Sequence, residues 1–213
     1  MSAPLVVGFD LDMTLIDTRP GFAATLEALG AELGVELPVA TLTERLGPPL
    51  EMLLAPYLPA EEVPAAGDRF RALYPDLAVT SVPALPGAYD ALRAVHDLGG
   101  RVLVVTGKYA PNAQRHLDHL GFEVDHLEGW VWGGLKAEPL REQGAHVYVG
   151  DHVHDVEGAQ EADVLSLSVL TGGCTEEELR AAGTDVVLAD LTAFPEWIAT
   201  HAEDLCAGRE LRL

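Results

Sequence analysis

The sequence predicts an α/β protein of the Rossmann-like type, in which helices cover both faces of a doubly wound, mostly parallel sheet. Short apolar runs bounded by Gly, Asp or Thr recur along the chain and are typical of buried parallel strands. Segments with helical spacing lie between them. This alternation implies right-handed crossovers and a ligand crevice at the carboxyl ends of the strands. A third observation, a long stretch without strand-like runs, predicts an inserted helical domain.

The five predicted strands are residues 5–9, 101–105, 147–149, 164–169 and 186–188. Among the helices, Ala88, Leu92 and Val95 recur at i, i+4 and i+7. Residues 111–120 open with a proline suited to a helix start, and Thr175 is a suitable cap for residues 176–182.

The stretch from residue 17 to residue 86 contains apolar residues at helical spacing, such as Phe22, Leu26 and Leu29, but no strand-like run. Its many prolines divide it into short helices. We therefore predict two domains, an α/β core of residues 1–16 and 87–213 and a helical cap of residues 17–86.

Composition indicates a folded globular protein, because 48% of its 213 residues are hydrophobic and 22% are charged. Residues 1–9 lack the features of a signal peptide, and no run of eighteen apolar residues suggests a membrane span. The two cysteines form no CxxC motif. We expect a cytoplasmic protein without membrane contact, either a monomer or a homodimer.

The net charge of -21, with 13 basic against 34 acidic residues, argues against binding nucleic acid. The same charge would repel an anionic substrate, although salt screens it beyond about 8 Å. A site that accepts phosphate in such a chain therefore needs a bound cation.

Polar side chains follow three of the predicted strands. Asp10 and Asp12 end the first strand two residues apart, so an extended backbone points both carboxylates to one side. Thr106 ends the second strand, and Asp151 and Asp155 follow the third. Carboxylates are the ligands that a hard metal ion prefers, so we expect these segments to meet around one.

These segments match, in order, the four motifs of the haloacid dehalogenase superfamily, which the sequence resembles: DLDMT at 10–14, VVTGK at 104–108, Lys136, and GDHVHD at 150–155. Any one motif is weak, but four in order, three of them after a predicted strand, are specific. The predicted cap after the first motif resembles the subfamily that includes phosphoglycolate phosphatase, beta-phosphoglucomutase and phosphonoacetaldehyde hydrolase.

The resemblance implies a role for each matching residue. Asp10 would be the nucleophile, and Asp12 the acid that protonates the leaving group and later activates water. Thr106 and Lys136 would hold the phosphoryl oxygens.

The cofactor implied by the resemblance is Mg²⁺. It would be bound by Asp10, the backbone carbonyl of Asp12, and Asp151, with Asp155 supporting the site from outside. The predicted substrate-binding residues are Thr14, Gly107, Lys108 and Arg45.

Met13 occupies a position where the family usually has glycine, and Ala137 one where proline is frequent. We expect His152 and His154 to be exposed polar residues, and Trp130 and Trp132 to pack at the edge of the sheet rather than against a ligand.

The predicted function is a magnesium-dependent phosphatase, similar to phosphoglycolate phosphatase, that hydrolyses small phosphorylated metabolites through a phosphoaspartate on Asp10. A phosphomutase of the beta-phosphoglucomutase type would use the same residues and is the first alternative. Alternatives from another class are a phosphoacceptor signalling domain and a catalytically silent metal-binding protein.

Overall fold

Six parallel strands form one sheet in the computed structural model, which describes residues 4–209 of the chain. Residues 1–3 and 210–213, which belong to the predicted core, lie outside the described part. The strands are β1 (Val6–Phe9), β2 (Arg101–Val105), β3 (His126–Glu128), β4 (Val147–Gly150), β5 (Leu165–Val169) and β6 (Val186–Leu188). The predicted α/β class is confirmed.

The strand order is β3-β2-β1-β4-β5-β6, so the chain builds the sheet outward from β1 in both directions. Gly8 of β1 lies opposite Leu103 of β2 on one side and Tyr148 of β4 on the other. In a parallel sheet whose strand order reverses in this way, the ligand crevice lies at the carboxyl ends of the strands on either side of the reversal. This places the crevice beyond β1, β2 and β4.

All five predicted strands are present, with ends that differ by at most one residue. The sequence reading missed β3. This strand has only three residues, all half-buried, at the edge of the sheet, and it therefore lacks the apolar run of a central strand.

Ten α-helices surround the sheet within residues 4–209, and four of them form the insertion. These four are α1 (Arg19–Leu33), α2 (Val39–Glu44), α3 (Leu50–Leu54) and α4 (Val63–Leu77). The others are α5 (Ala88–Asp97), α6 (Ala110–Leu120), α7 (Ala137–Gln143), α8 (Val153–Ala162), α9 (Glu176–Ala182) and α10 (Phe194–Cys206).

The helices of the insertion share a hydrophobic core that is distinct from those of the sheet and includes Phe22, Leu26 and Phe70. The chain enters and leaves the insertion side by side, since Ile16 pairs antiparallel with Ala84. These features agree with a cap of residues 17–86, and its independence as a domain stays a prediction.

Alternate strand residues face opposite sides of the sheet. Val7 and Phe9 pack in the core formed with α5 and α10, whereas Val6, Leu103 and Tyr148 pack on the opposite face under α7 and α8. Among the described residues, no helix is both long enough and apolar enough to cross a membrane.

Candidate active site

The carboxyl ends of β1, β2 and β4 meet at one cavity of about 190 Å³. Asp10, Thr106 and Asp151 each follow one of these strands directly, and all three line the cavity. Their side chains converge because the three strands are neighbours and parallel. Asp12, Gly107, Lys108, Lys136 and Asp155 line the same cavity.

Lys136 lies almost completely buried in a 3₁₀ turn, Gly133–Lys136, before α7. Its Nζ donates to Asp10 Oδ1 at 3.0 Å, to Asp155 Oδ1 at 2.6 Å and to Tyr148 Oη at 2.8 Å. The Tyr148 hydroxyl in turn donates to the carbonyl of Val105 at 2.6 Å. The ammonium group is thereby fixed between two carboxylates, with all three protons engaged.

The carboxylates of Asp10, Asp151 and Asp155 are buried, and one oxygen of each lies within 4.8 Å of the others. Burial raises the pKa of Asp10 to about 6 against the lowering effect of Lys136. Burial, followed by the charges of Asp155 and Asp10, raises the pKa of Asp151 well above its usual range. Three buried carboxylates share one buried ammonium group, so negative charge is left over in the cluster.

This cluster fits a divalent cation, since all its donors are carboxylate oxygens and its charge is uncompensated. Asp151 is oriented by Thr14, whose Oγ1 donates to Asp151 Oδ1 at 2.8 Å. Asp155 Oδ1 accepts from Lys136, while Oδ2 accepts from the backbone N–H groups of Asp151 and His152. With both oxygens engaged, Asp155 is suited to the supporting place that was predicted for it.

A second ion pair lies beside the first. Lys108 Nζ donates to Asp12 Oδ1 at 2.8 Å and lies 4.4 Å from the centre of the Tyr74 ring on α4. Burial alone would lower the pKa of Lys108, but Asp12 and Tyr74 outweigh it and the pKa is raised. Both lysines of the chain, Lys108 and Lys136, therefore serve this cavity as cations.

Met13 holds its backbone at φ 61°, a conformation that favours glycine, and its side chain lines the cavity. The backbone is fixed from both sides, since Met13 N–H donates to the carbonyl of Ile16 and Thr171 Oγ1 donates to the carbonyl of Met13. The glycine usual at this position would meet no such conformational penalty.

Two predicted substrate contacts are not found at the cavity. Arg45 follows α2 as an exposed residue outside the cavity, because the following segment of residues 46–51 forms the lining instead. Thr14 is fully buried behind Asp151, where its hydroxyl is already engaged. Gly107 and Lys108 do line the cavity, and their role in binding substrate stays a prediction.

Two further expectations need correction. Trp130 and Trp132 lie in the loop after β3 and line the cavity instead of packing at the sheet edge. His152 and His154 are half-buried and also line it, because His152 caps the N-terminus of α8 at the crevice. The position of the two tryptophans was predicted wrongly because β3 was not predicted. The loop that carries them follows β3, and this strand directs the loop to the crevice.

The sequence reading also missed Arg71 of α4, which lines the cavity from the insertion and pairs with Glu51 of α3. The motifs contain no signal for Arg71. Only the packing of α4 against α6, where Asn112 Nδ2 donates to the Arg71 carbonyl at 3.3 Å, brings it to the site.

A buried histidine of α6, the helix that packs against α4, predicts that stability depends on pH. His116 of α6 is fully buried, with Nε2 at 3.1 Å from Tyr74 Oη, and burial followed by the Lys108 charge lowers its pKa from 6.5 to about 4. As pH falls from 6.5 towards 4, the unfolded chain binds this proton before the folded protein does, so stability decreases. The free energy of unfolding should therefore fall by about 1–3 kcal/mol less in His116→Gln than in the wild type over this pH range.

The measurement is the free energy of unfolding in urea between pH 7.5 and pH 4.5 for both proteins. The wild-type curve should be the steeper of the two below pH 6.5. Parallel curves would show that His116 takes up its proton equally in both states.

The fold and site define an α/β protein with a cluster of buried carboxylates and a lysine at the carboxyl ends of its strands. A family model described as haloacid dehalogenase-like hydrolase matches residues 7–160. A second, HAD-hydrolase-like model matches residues 136–194. The chain belongs to the haloacid dehalogenase-like hydrolase family, which confirms the resemblance drawn from its motifs.

Among its relatives is a 5'-nucleotidase from Pseudomonas aeruginosa, 29% identical over 91% of this chain and 95% of the relative. A phosphoglycolate phosphatase from Caulobacter vibrioides is 28% identical over 89% of each chain. A solved structure of a predicted phosphatase from Clostridium acetobutylicum superposes with a TM-score of 0.81 at 22% identity, covering 93% of this chain and all of the other.

Proposed function

We propose that this protein is a magnesium-dependent phosphatase that hydrolyses small phosphate monoesters through a phosphoaspartate on Asp10. The observation that carries the proposal is the position of Asp10, buried in the cavity beside Lys136 and near Asp151. The family match and the phosphatases among its relatives support it. Family membership also disfavours a signalling domain.

In the first step, an Asp10 oxygen attacks phosphorus, the bond to the leaving oxygen breaks, and Asp12 gives that oxygen its proton. In the second step, Asp12 takes a proton from water, whose oxygen attacks phosphorus and releases Asp10 and inorganic phosphate. Splitting the displacement in this way replaces one difficult step by two easier ones. Lys108 Nζ donates to Asp12 Oδ1 in the structure and so holds this carboxyl group in position.

Two side chains of the cavity act on the phosphoryl oxygens. Lys136 places a fixed positive charge beside Asp10, and Thr106 adds a buried hydroxyl at the end of β2. Phosphoryl transfer depends mainly on such positioning and charge stabilisation. Asp10, Asp151 and the Asp12 carbonyl would hold Mg²⁺, which supplies further positive charge against the transferring group.

Metal removal is the first test. We expect chelation by EDTA to lower phosphate release about a hundredfold or more, because the carboxylate cluster otherwise repels the substrate, and we expect added Mg²⁺ to restore it. The assay follows inorganic phosphate from a panel of phosphorylated metabolites. Release that survives complete chelation would overturn the magnesium-dependent mechanism.

The same panel separates the phosphomutase alternative. Glucose 1-phosphate with a bisphosphate primer should yield free phosphate or nothing. Glucose 6-phosphate that appears faster than free phosphate would replace the phosphatase by a mutase that uses the same Asp10.

A further inference from the structure

We propose that the cavity selects phosphate monoesters whose leaving group carries a flat, uncharged ring, and that it disfavours small leaving groups with a carboxylate. This inference rests on the proposed function and names its substrate class. It follows from two independent features of the cavity on the side of the insertion, the pairing of its cations and the placement of its aromatic side chains.

The cations at the cavity are already paired. Lys136 contacts Asp10 and Asp155, and Lys108 contacts Asp12. Arg71 forms ion pairs with both Glu51 and Asp68, and its own side chain is only 13% exposed. Within the described residues, the cavity therefore offers no lysine or arginine without an acidic partner. A carboxylate on the leaving group would lose water without gaining a free cation, which is unfavourable.

Aromatic side chains dominate the same region. Trp130 lines the cavity although 60% of it is exposed, and its backbone has φ 63°. That conformation is an outlier for a bulky residue, and such strain persists where the surrounding structure enforces it, often at ligand sites. An exposed indole held in this way is poorly explained by packing alone.

The loop that carries Trp130 is attached directly to the catalytic segment after β2. Trp130 N–H donates to the carbonyl of Lys108 at 2.9 Å, and Val131 N–H donates to the carbonyl of Thr106 at 3.1 Å. The backbone that carries the indole is thus fixed relative to the residues proposed to bind phosphate. A rigid aromatic platform near the phosphoryl group suits a ring that extends from the scissile oxygen.

Further flat groups surround this platform. The Arg71 guanidinium lies over the Trp130 ring at 5.2 Å, and the Tyr109 ring lies at 5.1 Å from it. Trp132, whose Nε1 donates to the carbonyl of Gly47, lines the cavity beside His154. Planar ligands gain from packing against aromatic and guanidinium planes. The ring can be the base of a nucleoside or a simple aryl group, since both offer a flat, uncharged surface.

The test compares kcat/KM for four substrates with alkyl leaving oxygens in the presence of Mg²⁺: a nucleoside 5'-monophosphate, benzyl phosphate, glycerol phosphate and 2-phosphoglycolate. We expect the two ring-bearing substrates to exceed 2-phosphoglycolate by about tenfold or more, as ring stacking predicts. A preference for the nucleotide over benzyl phosphate assigns a nucleoside, and the reverse assigns an aryl group, each within the proposed class.

Two variants test the two features separately. Trp130→Ala should lower kcat/KM about tenfold for the ring-bearing substrates and by much less for glycerol phosphate. The double variant Glu51→Gln/Asp68→Asn removes both acidic partners of Arg71 and should raise kcat/KM for 2-phosphoglycolate alone, by about tenfold. The matched controls are Tyr89→Ala, an exposed aromatic residue outside the cavity, and Glu32→Gln, which breaks an exposed ion pair with Arg69. Neither control should change the order of the four substrates by kcat/KM.

A wild-type preference for 2-phosphoglycolate would overturn this inference and leave the phosphatase proposal intact. An equal loss with all four substrates in Trp130→Ala would also overturn it, because the indole would then have a structural role only. Absence of phosphate release from every substrate would overturn the proposed function itself.

Discussion

Asp10→Asn is expected to lower the rate of phosphate release about a thousandfold or more, because an amide cannot attack phosphorus as a carboxylate does. The substitution replaces one oxygen of a residue that is 8% exposed, and the remaining amide oxygen can still accept from Lys136. The measurement is single-turnover phosphate release with the best substrate of the panel. Trapping of ³²P on wild-type protein but not on the variant would identify the phosphorylated residue.

Loss of folding must be separated from loss of the nucleophile. Burial raises the pKa of Asp10 to about 6, so its carboxylate is less favourable in the metal-free folded protein than in water. The neutral amide should therefore leave the metal-free Tm unchanged or raise it. A variant that keeps this Tm and retains near wild-type turnover would exclude Asp10 as the nucleophile.

Lys136→Met is expected to have the largest effect on stability, since it leaves Asp10 and Asp155 buried without their ammonium partner. Breaking a buried ion pair by removing one partner costs about 3–5 kcal/mol, which lowers the Tm of a chain of this size by about 10 °C. Activity should fall about a hundredfold or more even where the protein is folded. Thermal unfolding and phosphate release measure the two effects separately.

Lys108→Met provides a matched control, because it makes the same chemical change at the other lysine of the chain. Its partner Asp12 has a side chain that is 27% exposed and can be solvated, whereas that of Asp155 is 6% exposed. The Tm of Lys108→Met should fall much less. Adding Asp155→Asn to Lys136→Met should recover part of the lost stability by removing one buried charge. Equal losses at the two lysines, with no recovery in the double variant, would contradict the buried cluster as the cause.

Much of the fold could be predicted because buried parallel strands have a distinctive composition. The apolar runs that form β1, β2 and β4 stand out against polar surroundings. β3 could not be found in this way, since its residues His126–Glu128 are half-buried and polar at both ends. A short edge strand is stabilised by the neighbour it pairs with, and this pairing leaves little trace in its own composition.

The chemical residues of the site were also predictable. Asp10, Thr106 and Asp151 follow strands, and parallel neighbours bring such residues together wherever the strand order allows. Arg71 and Trp130 were not predictable, because they reach the cavity only through the packing of α4 on α6 and through the loop after β3. Arg45 lies outside the cavity because the packing of the insertion brings residues 46–51 to it instead.

By itself, the sequence determined the α/β class, the helical insertion, and the carboxylates, hydroxyl and lysines that line the cavity, since periodicity and motif order are local properties of the chain. The tertiary structure decided which charges are paired and which side chains surround the leaving group. Both depend on contacts between residues far apart in the chain, such as Arg71 and Trp130 or Lys136 and Asp10. These contacts form only when the insertion packs against the sheet domain and burial removes competing water.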